Sequence, residues 1–376
     1  MKNCKKFLFI AIIFLSLSAL NSSAAIVTNS ISHYAAPNGS ILIYVSVFDT
    51  TTFKSYISSL KIIDKKDKTL FDGQLSGQYG WIVDFDGKSA VFINGSEHKI
   101  ASYKLKGNSF EQINELLISN LSSAHAAGKI LYVFTFSGLN TGLIAYNKTL
   151  SKKLFEIPSS NRQFLDVFAN GIVAQSDKSI GAETITFTKK GKSYSSHNIT
   201  IPTGSLLQKE VDQKGGVIFW FNIGITNSPI TYLNKKSKKI PDNFQLDGEV
   251  GTDWAAQAWN GKNFYVGNSD NTKIYVFKIG KKSALLNNIQ GEPFFSNVVL
   301  DKSKVFIENY ATINNAYVSN FDKNLKSQKW KNSGFSYVDY LGSGACEGGS
   351  VVGLSTTVTI FKSDKKTIAT HTYTGK

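Results

Sequence analysis

Arginine is all but missing: 42 residues are basic, and Arg162 alone among them is not lysine. A guanidinium's planar fork suits two-point recognition of phosphate and carboxylate, so its scarcity argues against a tuned nucleic-acid reader. What remains is a diffuse, salt-sensitive positive field. Cysteine is nearly absent too, with Cys4 and Cys346 only. Cys4 falls in a leader described below, which leaves no internal disulfide, so the chain must fold on its core and is long enough to do so. No histidine lies near Cys346 in sequence, and it reads as a small buried apolar residue rather than a nucleophile. The six prolines mark no interdomain linker.

Chemical signatures are scarce as well. His33, His98, His125, His197 and His371 are scattered, without a His-x-His or His-Glu-x-x-His pattern, so no zinc site is expected. The chain has no Gly-x-Ser-x-Gly elbow, P-loop or dinucleotide fingerprint. Nor does it carry the Ser-x-Asp-x-Gly-x-x-Trp box of sialidases. Its tryptophans, Trp81, Trp220, Trp254, Trp259 and Trp330, do not recur at one repeat position, which argues against a docked quinone cofactor.

The N-terminus has the form of an export signal. Lys2, Lys5 and Lys6 precede an apolar run over residues 7–20, and Ser23 and Ala25 then occupy the −3 and −1 positions of a cleavage site. The run is shorter than the ~20 apolar residues of a spanning helix. Cleavage after Ala25 is therefore expected, with residues 1–25 a signal peptide. Cys4 precedes the apolar run and does not fit a lipoprotein cysteine. Removing 25 of 376 residues leaves 351, and removing three lysines lowers the net charge from +15 to +12. No second run of spanning length follows, so no transmembrane segment is expected after cleavage, and the destination is secreted or periplasmic.

Internal repetition sets the fold class. Residues 80–106 read as a short strand, a turn at Gly87-Lys88, a strongly apolar strand, a polar turn, then a β-rich strand running into lysines. Residues 255–282 repeat the unit around Gly261. The turn recurs at Gly39, Gly87, Gly128, Gly171, Gly215, Gly261, Lys302 and Gly348, at intervals of 41 to 48 residues, with an apolar strand after each. A period of about 44 residues with about four strands per unit is the signature of a β-propeller. The expectation is an all-β single domain over residues 26–376, with eight four-stranded blades, or seven if the irregular ends share one. Residues 110–123 alone look helical, as an excursion between blades.

Val83-Asp84-Phe85-Asp86-Gly87 through Tyr103, and Trp259-Asn260-Gly261 through Phe277, resemble the repeats of NHL and YVTN propellers. The resemblance implies that the first strand of each unit lines a central channel. It carries no activity across, because those propellers include ligases, lyases, lactonases and simple binders.

If the strands run as expected, two loop sets share one face: those joining second to third strands, and those joining consecutive blades. They hold Tyr79, Phe136, Arg162, Trp254, Asp270, Asn271 and Tyr310, a mixture suited to stacking on and hydrogen-bonding a protein, peptide or glycan. Packing between blades is the competing role for each aromatic. Carboxylates recur in or beside the first strands at Asp84, Asp166, Asp212 and Asp339, where convergence in the channel would hold calcium or serve as general acid and base. Backbone hydrogen bonding at strand ends is their competing role. Lysines gather after the third strand of every copy, from Lys65, Lys66 and Lys68 to Lys362, Lys365 and Lys366, 23 of the 41 in all. They suit an anionic envelope surface, or the blunting of exposed sheet edges.

A binding or scaffold module without cofactor, acting through the loop face, is thus the leading expectation. A channel-carboxylate hydrolase or lyase, with calcium, is one rival, and adhesion through the lysine rim is the other. Sequons at Asn38, Asn94, Asn120, Asn147 and Asn198 are expected by chance in a chain this rich in Asn, Ser and Thr.

Overall fold

The structure is a computed structural model. It describes residues 27–374, apart from position 37 and short segments within 50–67 and 139–366, and in 159–256 and 332–374 mainly the backbone. Residues 1–26 lie outside it, and with them the expected signal.

Turn chemistry fixes each unit. Asp86 Oδ1 accepts from the backbone N–H groups of Lys88 (2.9 Å) and Ser89 (2.7 Å), and Gly87 between them takes φ +95°. In the repeat around Gly261 (φ +85°), Asn260 Oδ1 accepts from Lys262 and Asn263 at 3.0 and 2.8 Å. A short side-chain acceptor followed by glycine is the cheapest way to reverse the chain so tightly.

Among the described residues the strands form eight antiparallel sheets in chain order. Sheet 1 comprises Val27–Ala35, Ile41–Asp49, Lys54–Ile63 and Thr69–Gly73; sheet 2, Trp81–Phe85, Ser89–Asn94, Lys99–Lys106 and Ser109–Leu117. Sheet 3 comprises Leu121–Ala127, Ile130–Ser137, Asn140–Asn147 and Lys153–Ser160. Sheets 4, 5 and 8 occupy residues 162–200, 206–246 and 338–374; sheet 5 carries two short outer strands. Sheet 6 is Gln257–Trp259, Asn263–Gly267, Lys273–Lys278 and Ala284–Gln290; sheet 7 is Phe295–Asp301, Lys304–Asn309, Ala316–Asp322 and Gln328–Phe335.

First strands of consecutive sheets touch from sheet 1 through sheet 7. Sheet 8 meets the second strand of sheet 7 on one side and the first strand of sheet 1 on the other. The sheets therefore close a ring with their first strands innermost, as the repeat resemblance implied. This is a β-propeller. Each sheet is built from its own stretch of chain, so the ring closes by packing and not by a shared blade.

The core is a series of layers between sheets. In the second strand of sheet 2, Ala90 and Phe92 pack toward sheet 1, while Val91 and Ile93 pack toward sheet 3. Sheet 6 divides the same way, with Phe264 and Val266 on one side and Tyr265 on the other. Burial on both faces is why the second strands of sheets 2 and 6 read as unbroken apolar runs.

The outermost strands are irregular, and in a regular way. Leu70, Ile113, Leu154, Leu286, Lys329 and Ile368 are each an extra residue opposite the third strand, at corresponding positions in six sheets. These bulges bend the outer strand. One of them overturns the helix expected over 110–123: those residues form the outer strand Ser109–Leu117 and the first strand Leu121–Ala127. The extra Ile113 breaks the alternation, so Phe110, Ile113 and Leu116 fall at a three-residue spacing that mimics a helix. The last repeat is also re-registered. Gly348 ends the second strand, Gly344–Gly348, and Tyr340 pairs with Ala345, so Gly348 does not form the first turn of this unit.

First-to-second and third-to-fourth turns lie on one face, the hairpin face. Second-to-third loops and the linkers between sheets lie on the other, the loop face.

Candidate functional site

The loop face over sheets 1 to 3 is tied together by backbone bonds. Ile57 N–H donates to Tyr79 O (2.7 Å), and Gly80 N–H to Ile93 O (2.8 Å), fixing the linker between sheets 1 and 2. Asn94, at the end of its strand, donates from Nδ2 to Gln78 O (2.9 Å) and accepts from Glu97 N–H (3.0 Å) and Ser96 Oγ (2.9 Å). Asn268 holds the equivalent position in sheet 6 and accepts from Lys273 N–H at 2.7 Å. The next linker follows suit: Ile118 N–H donates to His98 O (2.9 Å), and Phe136 N–H to Asn120 O (2.9 Å).

On this hydrogen-bonded base stand most of the exposed large apolar side chains found among the described residues. Among the described residues these are Phe48, Phe53, Trp81, Leu117, Phe136 and Leu285, and all but Leu285 belong to the loop face of sheets 1 to 3. Phe53 is 80% exposed and Phe136 52%. Trp81 lies over Gly95, where a Cβ would come within 2.8 Å of its ring. Beside them Lys99 pairs with Glu97 (2.9 Å). That pairing, with a weaker contribution from Lys54, holds the Glu97 carboxyl below its ordinary value. The arrangement offers apolar contact with a few charges around it, and suits stacking better than bond cleavage.

Of the sequence-predicted residues, Phe136 lies on this face. Tyr79 does not. It is buried at 1% exposure, meets Tyr103 edge-on with ring centres 5.8 Å apart, and donates its hydroxyl to Glu115. Burial first, and then the Glu115 bond, pushes its phenol well above the usual range. Its linker, rich in glycine, reads as exposed. Gly77 instead makes room for the ring, since a Cβ there would come within 2.8 Å of it. Arg162 begins the first strand of sheet 4, with its side chain outside the described residues. Trp254, Asp270, Asn271 and Tyr310 lie outside them entirely.

Among the candidate metal ligands, Asp84 is turned away from the channel toward sheet 3. Its Oδ2 accepts from Lys148 Nζ at 2.6 Å, so a cation already sits on the carboxylate. Asp166 and Asp339 occupy first strands, with side chains outside the described residues, and Asp212 falls outside altogether. Among the described residues no three His, Cys, Asp or Glu side chains gather as a metal site would need. Asn94, one of the sequons, is 7% exposed and its amide is engaged as above.

Phe53, Trp81 and Leu117 were not singled out from the sequence. Phe53 had a readable signal, an aromatic ending the polar run Asp49-Thr-Thr-Thr and held there at φ +53°.

No protein-family model matches the chain, and no curated protein does either. Solved structures do. The computationally designed Ika8 protein is 13% identical, with 86% of this chain and 96% of that one covered and a TM-score of 0.50. Kluyveromyces lactis Hsv2 is 12% identical, with 81% and 99% covered and a TM-score of 0.51. Both are β-propellers. At such identity the likeness is one of fold and carries no ligand or activity.

Proposed function

We propose that the protein is an exported, non-enzymatic binding module that engages a protein, peptide or glycan through the loop face of sheets 1 to 3. The observation that carries the reading is the gathering of Phe53, Trp81, Leu117 and Phe136 on one face of three adjacent sheets. Single exposed apolar residues are ordinary, but aromatic groups grouped on a hydrogen-bonded base mark interaction sites. The lysine-led apolar run at residues 2–20 supports action outside the cytoplasm.

The test is to screen the mature protein on glycan arrays and peptide libraries, and to repeat it with Phe53→Ala/Phe136→Ala. Both side chains are exposed, so the variant should melt within a degree or two of the parent. Ligands of the parent should weaken at least tenfold. Ligands retained in full by a folded variant would place binding elsewhere on the molecule.

A further inference from the structure

The opposite face has a different chemistry. Exposed lysine stands in or beside the third-to-fourth hairpins of sheets 1, 2, 3, 6 and 7, and Lys88, Lys129 and Lys262 add exposed lysines in the first turns. The acids described among them are already engaged. Asp64, Asp86 and Asp322 accept from N–H groups of their own turns. Glu111 pairs with Lys106, Glu156 with Lys153, and Asp84 with Lys148. Among the described residues positive charge is thus in excess on the hairpin face of sheets 1, 2, 3, 6 and 7, while the exposed aromatics stand on the other side.

From this placement we infer that the hairpin face docks on an anionic lipid bilayer and leaves the loop face directed away from it. A strand edge needs only an occasional lysine to deter pairing, whereas here lysines also occupy the first turns, which are not edges. A linear polyanion would meet hairpins along one line across the ring. A planar surface meets all of them at once, and ammonium groups on flexible stems suit a diffuse layer of headgroups better than a shaped pocket. The docking does not depend on any ligand at the loop face, so either reading can fail alone.

The experiment is co-sedimentation of the mature protein with vesicles of neutral phosphatidylcholine, and with vesicles containing three parts in ten of phosphatidylglycerol. Binding is expected to the anionic vesicles only, and to fall steeply between 50 and 300 mM salt, about the range over which screening takes hold. Lys65, Lys66, Lys104, Lys152, Lys323 and Lys326, all exposed, are then changed together to Gln, which keeps the stem and removes the charge. Each lysine near an anionic surface contributes about fivefold in partitioning, so the loss should exceed a hundredfold. Lys54→Gln with Lys331→Gln, on the loop side, should change it by less than about tenfold, and circular dichroism checks that both variants fold. No binding to anionic vesicles at 50 mM salt overturns the inference, as does equal binding to neutral ones. So does undiminished binding by the six-lysine variant. Retention on heparin without vesicle binding would assign the face to a linear polyanion instead.

Discussion

Gly87 and Gly107 both hold the left-handed region, at φ +95° and +61°, yet they should not be equally replaceable. A Cβ on Gly107 meets nothing within 4 Å, so Gly107→Ala carries only the conformational cost, about 1 kcal/mol. A Cβ on Gly87 would stand 2.2 Å from Asn38 Nδ2, in the corresponding turn of sheet 1, so Gly87→Ala must also displace the Asn38 side chain, whose Oδ1 accepts from Ser40 N–H. Denaturant midpoints should fall further for Gly87→Ala; equal losses would mean that Asn38 moves aside at no cost and its bond to Ser40 contributes little. Asp322 offers a second test at this scale. Burial alone would raise its carboxyl, but bonds from Ser327 and from the N–H groups of Asn324, Lys326 and Ser327 outweigh it and hold the group below 3.8. A depressed carboxylate contributes stability that is present above its unfolded value and is lost as pH falls through the folded one. Asn147 performs the same turn in sheet 3 without titrating. Asp322→Asn should therefore lower stability near neutrality, and the gap should close below about pH 3.8. A gap constant from pH 7 to pH 3 would contradict the assigned bonding. Residue roles were the least legible part of the sequence. Tyr79 and Phe136 are both aromatics near loops, and only the packing around each separates a core residue from an exposed one.

At the scale of elements, two hairpins share a device. Residues 147–152 and 322–327 place a leucine in the left-handed region, Leu150 at φ +57° and Leu325 at +56°, and drive it into the layer beneath the preceding sheet. The preceding sheet grips each hairpin in return. Ser102 Oγ and Asn114 Nδ2 both donate to Thr149 O at 2.8 Å. Tyr265 OH donates to Lys323 O (2.6 Å), and Asn287 Nδ2 to Leu325 O (2.7 Å). Burial, chiefly, pushes the Tyr265 phenol up to about 12, so the donor proton stays in place across the working pH range. Asn114 and Asn287 each follow the bulge of their outer strand, which aims them at the next sheet. Leu325→Ala should cost about 2–5 kcal/mol by opening a cavity, and Asn287→Ala about 1 kcal/mol, leaving Leu325 O without that donor. Thermal melts of the single variants and of their double mutant would check this. Because both act through one hairpin, the double loss should be smaller than the sum, and strict additivity would mean that they are not coupled. The hairpin itself was legible from its lysines and its Asn or Asp, but the bulge was not. An inserted residue erases the alternation on which strand recognition rests, and it is what made 110–123 resemble a helix.

At the scale of the whole molecule the period carried the fold. A turn and an apolar strand recurring about every 44 residues sufficed to imply a ring of similar sheets, because a sheet buried on both faces needs a like neighbour on each side. The period says nothing about how the ring closes, since that depends on contacts between the two most distant parts of the sequence. Consecutive sheets are joined by short linkers, such as residues 74–80 between sheets 1 and 2, so a junction that parts is held nearby by the chain. Sheets 8 and 1 share no strand pairing among the described residues, and six sheets of chain lie between them in sequence. Opening there stretches no linker, which makes it the least costly place for the ring to part. Amide hydrogen exchange should accordingly find lower protection in sheets 1 and 8 than in sheets 2 and 3. Joining residue 374 to residue 27 through a linker as long as 74–80, with new ends between sheets 3 and 4, should move the low-protection region to those sheets. Protection that stays lowest in sheets 1 and 8 after the permutation would trace the weakness to their own packing and not to the way the ring is closed.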